Sequence, residues 1–185
     1  MAINQNEYGG LGAHWWIVIG ALAKLDRGAE PTFHYSVGRY MAAVLATLDG
    51  MPVPPEDELD AAASVEAWRR CCFTEAIKCS PLGDDSRPSQ AMWQNCPVRF
   101  LLAELEILQP RTLIVVGRGT GDALRRLLIW KGPEYGPSFS RATALLGSTQ
   151  VEGFFLNHPA YGHWRSSLES LLASLRTRPP VHVSD

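Results

Sequence analysis

The sequence predicts an α/β fold in which a parallel sheet carries helices on both faces. Four short apolar runs, rich in β-branched residues, are typical of buried strands: Trp15–Gly20, Cys71–Lys78, Thr112–Gly117 and Gly153–Asn157. Longer segments with helical periodicity separate them, and strands that alternate with helices usually pair in parallel. The chain has 185 residues, of which 46% are hydrophobic. We therefore expect one domain over residues 1–185 with a sizeable core.

Four segments repeat apolar residues at helical spacing and predict the helices between these strands. They are Val37–Leu48, Trp93–Leu108, Asp122–Trp130 and Trp164–Leu175. Two segments rich in glycine and proline, Gly50–Pro55 and Lys131–Ser140, predict connectors. One acidic run is typical of a solvated loop or a helix start, and it consists of Glu56, Asp57, Glu58 and Asp60.

The charge of the chain is unevenly distributed. The formal net charge is −2, which excludes a histone-like or tail-type binder of polyanions. Residues 1–110 carry −6, whereas residues 111–185 carry +4, and 8 of the 9 basic residues in that second part are arginine. Arginine is the better fork for phosphate, although a GC-rich genome produces the same bias. The net charge therefore conceals a positively charged second part of the chain.

The sequence gives no indication of a membrane span or an export signal. The longest apolar runs are far too short to cross a bilayer. The first ten residues, MAINQNEYGG, contain neither a basic region nor an apolar signal core, so we expect a cytoplasmic protein. The four cysteines contain no CxxC pair, and we expect no disulfide framework and no zinc ribbon.

The carboxyl ends of the predicted strands carry the residues of greatest chemical interest, and ligands bind at these ends in sheets of this kind. The segment LNHPAYGHWR places His158 at a strand end, before the proline that stops the strand. A histidine in this position is either structural or functional, and the exposed aromatic residues after it favour function. Glu75 and Lys78 flank another strand end, where they could act on a ligand or form ion pairs with each other or with arginines.

A third strand end carries three glycines, Gly117, Gly119 and Gly121. Their spacing departs from the GxGxxG pattern of dinucleotide-binding folds, and no second strand ending in an acid follows. The pattern is typical of a tight turn from strand to helix. The free N–H groups at such a helix start can still hold a phosphate.

Three segments together resemble the uracil-DNA glycosylase superfamily, and most closely its thermostable iron–sulfur branch. They are KCSP at residues 78–81 with a second cysteine-proline at 96–97, LQPRTLIVVGR at 108–118, and HPAY at 158–161. The resemblance covers roughly residues 15–175 in the same order. It implies a three-layer α/β/α fold around a four-stranded parallel sheet. It also implies base flipping and hydrolysis of an N-glycosidic bond in DNA.

The resemblance assigns roles to the strand-end residues. His158 matches the family histidine that stabilises charge on the pyrimidine O2 as the base leaves, which is a transition-state interaction. The loop at residues 161–165 matches the loop that enters the duplex and fills the gap left by the flipped base. The residues expected to contact DNA are Tyr161, His163, Trp164, Arg165, Arg118, Gly119 and Lys78.

The chain departs from the family pattern in the first two motifs. Ala21 stands where the family has an acid or amide, and Asp26 is the nearest carboxylate that could orient the attacking water, unless it is a surface turn acid. Ser36 stands where an aromatic residue would stack on the base, with Tyr35 and Phe33 nearby. Small residues at both places imply a roomier base pocket.

The third departure concerns the residue that reads the base. Aligning the lysine–cysteine pair puts Glu75 where the family has an asparagine that accepts from N3–H of uracil and donates to O4. A carboxylate only accepts, so it suits the N4 amino group of cytosine and opposes the O4 of uracil. We therefore expect a cytosine-type base with a substituent at C5, such as the hydroxymethylated or glucosylated cytosines of some phage genomes. Such an enzyme would act in defence against phage.

The fourth departure concerns the cluster of the iron–sulfur branch. Cys79 and Cys96 match the two later cluster cysteines, but the early pair is missing because no cysteine precedes Cys71. Cys71 and Cys72 are adjacent in a predicted strand, where their side chains would point to opposite faces. We expect no iron–sulfur cluster, no other metal and no cofactor.

These expectations combine into a monofunctional DNA glycosylase that leaves an abasic site. It would act as a monomer on double-stranded DNA, with no membrane partner. Three alternatives remain open at this point. They are a conventional uracil-DNA glycosylase of base excision repair, a non-catalytic DNA-binding relative, and an unrelated nucleotide-binding α/β domain that rests only on the glycines at 117–121.

Overall fold

A computed structural model describes residues 33–77, 88–132, 139–159 and 164–176. Within them lies a three-stranded sheet of β1 (Thr112–Val116), β2 (Phe139–Leu146) and β3 (Thr149–Leu156). The strand order is β1-β3-β2, with β3 in the centre. β1 pairs in parallel with β3, and β2 pairs antiparallel with it. The carboxyl ends of β1 and β3 therefore lie side by side.

Six α-helices, a 3₁₀ turn and a π-helical segment complete the described elements. α1 (Phe33–Leu48) and α2 (Ala61–Arg70) flank the 3₁₀ turn (Glu56–Glu58). The other described elements are α3 (Gln90–Cys96), the π-helical segment (Pro97–Leu101), α4 (Leu102–Leu108), α5 (Arg118–Leu127) and α6 (Trp164–Arg176). No helix among the described residues is long and apolar enough to cross a membrane.

Helices cover both faces of the sheet, as the sequence predicts, because neighbouring residues of β3 point to opposite sides. On one side Phe155 and Val115 pack with Leu105 of α4 and Leu124 of α5. On the other side side chains of β1 and β3 pack with those of α1, α2 and α6. The fully buried members there include Phe154, Tyr40, Trp68, Leu168 and Leu171.

The described sheet differs from the four-stranded parallel sheet that the sequence predicts. Thr112–Gly117 and Gly153–Asn157 are strands as expected, although β3 begins four residues earlier. Residues 71–77 of the predicted strand Cys71–Lys78 form no strand, and this prediction is wrong for them. Ala76 of this segment is buried in the core, so the apolar run reflects side-chain burial and not pairing with the sheet. The predicted strand Trp15–Gly20 lies outside the described residues.

The antiparallel strand β2 begins inside the segment predicted as a connector, Lys131–Ser140. Its buried face consists largely of small residues, which give a weak apolar signal, and these are Ser140, Ala142 and Ala144. A tight turn with Gly147 at φ +60° joins β2 to β3. So short a turn can connect only antiparallel neighbours, so β2 pairs antiparallel with β3.

All four predicted helices are present, with shifted ends. α1 begins four residues earlier than Val37, and α5 begins at Arg118 and ends at Leu127 rather than Trp130. The predicted helix Trp93–Leu108 is interrupted by the π-helical segment. That segment starts at Pro97, which lacks the N–H that a regular helix would use.

α2 was not predicted, but the acidic run predicted as a solvated loop or helix start precedes it. The Asp60 carboxylate accepts from the backbone N–H of Ala63 at 2.9 Å and caps the helix. The three acids before it form the 3₁₀ turn. The interpretation of this run as a helix start is therefore confirmed.

Candidate functional site

His158 lies at the carboxyl end of the central strand, two residues after β3 ends at Leu156. The backbone N–H of Gly117, just after β1, donates to the carbonyl oxygen of Leu156 at 2.9 Å. This bond continues the parallel pairing past the end of β1. It holds the turn before α5 beside the segment that carries His158.

Gly117 lies close to the histidine side chain. A Cβ atom at this position would lie 3.6 Å from both Cβ and Cδ2 of His158. The glycine has φ +91° and ψ 144°, a conformation that residues with a Cβ rarely adopt. The glycine therefore lets the backbone turn sharply from β1 into α5 beside the imidazole.

An aromatic ring covers one face of the imidazole. The rings of Phe33 and His158 stack with centroids 5.0 Å apart and an interplanar angle of 27°. Phe33 is the first residue of α1, and its position depends on the neighbouring residue, His34. The indole Nε1 of Trp68 donates to the backbone oxygen of His34 at 2.8 Å, which fastens the start of α1 to α2.

Burial lowers the pKa of His158 below its usual value of 6.5, because the charged imidazolium loses hydration in this packed position. The imidazole is therefore neutral at pH 7. A neutral imidazole carries one N–H donor and one acceptor nitrogen. It can donate to an oxygen on which negative charge develops without first bringing a positive charge into the site.

Two predicted DNA-binding residues, Trp164 and Arg165, open α6. The Arg165 side chain is exposed, and its guanidinium lies 5.3 Å from the centroid of the Trp164 ring. The hydroxyl of Tyr40 donates to the backbone oxygen of Trp164 at 3.0 Å. Burial raises the pKa of Tyr40 well above its usual range, so this hydroxyl keeps its proton and the bond.

Two further predicted DNA-binding residues lie at the start of α5. The side chain of Arg118 is 93% exposed and reaches no closer than 3.8 Å to the carboxylate of Asp122, so it can reach a phosphate. Gly119 packs on Trp93, because a Cβ there would lie 2.8 Å from Cζ2 of the indole. The glycine at this position thus has a packing reason, and its contact with DNA stays a prediction.

The predicted base-recognition residues of α1 occupy different environments. Ser36 is 1% exposed and so belongs to the interior. Tyr35 is half-buried, with its ring centroid 5.6 Å from the guanidinium carbon of Arg39. Of the three residues predicted here, Phe33 is the one that the structure brings against His158. Roles for all three in base recognition stay predictions.

Glu75 lies in the irregular segment 71–77 and is half-buried. Its neighbours anchor the segment: Ala76 is buried in the cluster that contains Val115, and the hydroxyl of Thr74 donates to the carboxylate of Glu104. A carboxylate between two anchored neighbours is held in a defined place. Its reading of the base stays a prediction.

Several predicted site residues lie outside the described residues. They are Ala21, Asp26, Lys78, Tyr161 and His163. Cys79, one of the two cysteines matched to a cluster, lies outside them as well.

The described cysteines do not form a metal centre. Cys96 is buried at the end of α3, Cys71 is half-buried and Cys72 is exposed. Among the described residues no three His, Cys, Asp or Glu side chains are grouped so that they could hold a metal ion. The expected absence of an iron–sulfur cluster stays a prediction.

A recess along the edge strand β2 does not include His158. Arg141 and Glu152 line it and form an ion pair, with Nη2 and Oε1 2.5 Å apart. Glu152 is 8% exposed, so this pair satisfies a buried carboxylate. The Arg141–Glu152 pair therefore has a structural role, and the recess that it lines is separate from the strand-end site.

Arg39 has a buried position that was not predicted from the sequence. Its side chain is 8% exposed, and its guanidinium carbon lies 5.0 Å from the centroid of the Trp164 ring. Nη2 donates to the backbone oxygen of Glu56 at 2.9 Å. A sequence signal does exist, since Arg39 is the one Asp, Glu, Lys or Arg residue in the sixteen residues of α1.

The comparisons with known proteins give one match. The family model described as the uracil DNA glycosylase superfamily matches residues 22–176 and therefore includes all the described elements. No curated protein and no solved structure gives a significant match.

Proposed function

Because the chain belongs to the uracil-DNA glycosylase superfamily, we propose that it is a monofunctional DNA glycosylase that excises a modified pyrimidine. The family supports DNA glycosylase activity and DNA as the substrate. The finer proposal is a C5-substituted, cytosine-type base in phage DNA. The enzyme would act as a cytoplasmic monomer on double-stranded DNA, without a cofactor.

The observation that carries the proposal is the position of His158 at the carboxyl end of the central strand. In N-glycosidic hydrolysis the bond between the base and C1′ breaks, and the base takes the electron pair. A hydroxyl from water forms the new bond to C1′, and the water proton is released. A neutral imidazole N–H aimed at the pyrimidine O2 would stabilise the departing anion, and burial keeps His158 neutral.

The exposed arginines near the site support duplex DNA as the substrate. Arg118 follows Gly117, whose backbone N–H donates to the carbonyl oxygen of Leu156, two residues before His158, while Arg165 lies at the start of α6, after the loop that the family resemblance directs into the duplex. Both belong to the positive half of the chain. Their guanidinium groups can bind phosphates on either side of the flipped nucleotide.

The target base rests on Glu75. A half-buried carboxylate can accept from the N4 amino group of cytosine. Opposite uracil, the same carboxylate oxygen and the O4 would both be acceptors, so no hydrogen bond would form between them. An unmatched buried acceptor costs about 1–3 kcal/mol, which would disfavour uracil by roughly 5- to 150-fold. Excision of ordinary cytosine would damage the host genome, so a substituent at C5 must distinguish the target. Hydroxymethylated and glucosylated cytosines meet both conditions.

Two alternatives within the family make different predictions. A conventional uracil-DNA glycosylase would need a donor to O4, which Glu75 does not supply in its ionised form. A non-catalytic DNA-binding relative is favoured by the replacement of two family residues, at Ala21 and Glu75. The family match over residues 22–176 favours all three glycosylase-family readings over an unrelated nucleotide-binding domain.

One assay tests the proposal. The protein is incubated with duplexes that carry uracil, cytosine, 5-hydroxymethylcytosine or its glucosylated form, and abasic sites are then cleaved with alkali. We expect cleavage only at a modified cytosine. Cleavage at uracil alone would contradict the proposed base, and binding to every duplex without cleavage would support the non-catalytic alternative.

The variant Glu75→Asn is the matched control for base reading. It shortens the side chain by one methylene and replaces a carboxylate oxygen with an amide N–H donor, so we expect it to lose activity on modified cytosine and to gain activity on uracil. Equal activity of the variant and the wild type on modified cytosine would remove Glu75 from base recognition.

A further inference from the structure

We propose that Phe33 is a positioning residue for His158: its ring fixes the plane of the imidazole so that the histidine meets the departing base with a nitrogen edge. The inference rests on the proposed function, in which His158 donates to the base. It assigns Phe33 a role in catalysis that differs from contact with the base itself.

The Phe33 ring covers one face of the His158 imidazole. With centroids 5.0 Å apart and planes within 27° of parallel, the two rings are in stacking contact. A base inserted between them would need about 7 Å, since each stacked contact takes about 3.5 Å. The imidazole face that Phe33 covers is therefore closed to the base, and the histidine must act through its edge.

The turn at Gly117 lies near a second side of the imidazole. A Cβ at this position would lie 3.6 Å from Cβ and Cδ2 of His158, which is an ordinary van der Waals distance, so the glycine itself contributes no side-chain contact on this side. The stacked Phe33 ring, in contrast, lies against the face of the imidazole and opposes its rotation about the Cβ–Cγ bond. A ring held in one plane is how a scaffold preorganises a catalytic group.

Phe33 is itself held in place by its neighbours. Its ring has an edge contact with His34, with centroids 5.5 Å apart, and His34 in turn lies against Trp68. Trp68 is 1% exposed and donates to the backbone of His34. The start of α1 is thus tied to the core, and a rigid Phe33 can transmit that rigidity to His158.

The cover over the imidazole also contributes to its desolvation. Two residues that can carry a positive charge follow Phe33 and Gly117 in the sequence, namely His34 and Arg118. Both are cationic when charged, so neither would favour an imidazolium at His158. Removing the Phe33 ring should therefore raise the pKa of His158 toward 6.5 by readmitting water.

The test uses Phe33→Tyr, Phe33→Leu and Phe33→Ala in the full chain. On whichever duplex the wild type cleaves, we expect single-turnover excision within about twofold of wild type for Phe33→Tyr, which keeps the ring. We expect a loss of about tenfold for Phe33→Leu and up to about a hundredfold for Phe33→Ala. The dissociation constant for DNA should change less than about twofold, because the role concerns orientation.

A control variant separates positioning from general loss of packing. Phe139→Leu removes another half-buried aromatic ring, which contacts Phe154 on β3, and it should leave the excision rate of the folded protein unchanged. An equal loss in Phe33→Leu and Phe139→Leu would overturn the proposal. So would a Phe33→Ala variant with the wild-type rate, or one whose loss lies entirely in DNA binding.

An NMR titration tests the inference even if the wild type cleaves none of the duplexes. The ring protons of His158 should show an upfield shift from the stacked Phe33 ring, and Phe33→Leu should abolish it. The pKa of His158 should rise in Phe33→Ala and stay near the wild-type value in Phe139→Leu. An unchanged shift and an unchanged pKa in Phe33→Ala would contradict the inference, whatever the outcome for the proposed function.

Discussion

The guanidinium carbon of Arg39, on α1, lies 5.0 Å from the centroid of the Trp164 ring at the start of α6. The same guanidinium lies 5.6 Å from the Tyr35 ring and donates to the backbone oxygen of Glu56. Among the described residues its Nε has no hydrogen-bond partner. A buried cation thus holds together α1, the 3₁₀ turn and the first residue of the helix that follows the proposed DNA loop.

We predict that Arg39→Met lowers the free energy of unfolding by about 1–3 kcal/mol, because it removes cation–π contacts and a charge-assisted hydrogen bond. Chemical denaturation monitored by far-UV circular dichroism measures the change. Arg69→Met is the matched control, since Arg69 pairs with Glu66 on an exposed surface and should contribute little. Equal effects of the two substitutions would show that burial of Arg39 is not stabilising.

We predict that His158→Ala reduces single-turnover excision by about 10²–10³-fold with little change in DNA affinity, since the donor acts chiefly in the transition state. Phe139→Leu, which removes a half-buried ring on β2, is the control and should stay within a few-fold of wild type. Rate constants and dissociation constants on the cleaved duplex measure both. A His158→Ala variant with full activity would exclude the histidine from the mechanism.

We predict an acidic limb in the pH–rate profile with its midpoint below 6.5. The pKa of His158 is lowered by burial, so the neutral, active imidazole persists below the ordinary pKa and is lost only on further acidification. Rates measured from pH 4.5 to 8.5 on one duplex determine the midpoint. A limb centred above 6.5 would mean that a different group controls activity.

The lowered pKa of His158 also predicts how the free energy of unfolding responds to pH. Near pH 6.5 the unfolded chain takes up a proton at His158 more readily than the folded protein does, so stability rises with pH through this range. Conversely, the contribution of His158 is lost as the pH falls from 6.5 toward the folded pKa. Comparing wild type with His158→Ala at several pH values isolates this part of the dependence.

We predict that Gly38→Ala destabilises the protein by about 1–3 kcal/mol, because α1 and α2 pack closely at this glycine. A Cβ there would lie 2.6 Å from Cβ of Ser64 and 3.0 Å from its Cα. Adding Ser64→Gly removes the obstructing Cβ and should recover part of the loss. A double-mutant cycle by thermal denaturation measures the coupling, and strict additivity would contradict a direct clash.

The fold could be predicted where a segment has a strong pattern of apolar residues, and it was missed where that pattern is weak. Two helices, α1 and α6, repeat apolar residues at helical spacing, and two strands, β1 and β3, contain short apolar runs. The sequence predicted all four, with errors only at the ends. β2 was missed because its buried positions are largely serine and alanine, whose burial depends on the neighbouring strand. Residues 71–77 were predicted as a strand because an apolar run shows burial but not hydrogen-bond pairing.

The candidate site was predictable where chemistry follows from chain position. A histidine before a proline at a strand end pointed to His158, and the three-glycine turn pointed to the start of α5. Phe33 was predicted to recognise the base from its nearness to a family motif. Its stacking on His158 joins residues 125 positions apart, which no local pattern could reveal.

The sequence by itself determined the α/β class, the superfamily, the strand-end location of His158 and the uneven charge of the two halves. These follow from local periodicity, motif order and composition, which are properties of neighbouring residues. The tertiary structure alone decided that β2 runs antiparallel, that Arg39 is buried against Trp164, and that the Phe33 ring stacks on the imidazole of His158. Each depends on packing between distant segments, because side-chain burial and ring contacts are fixed only when the helices close on the sheet.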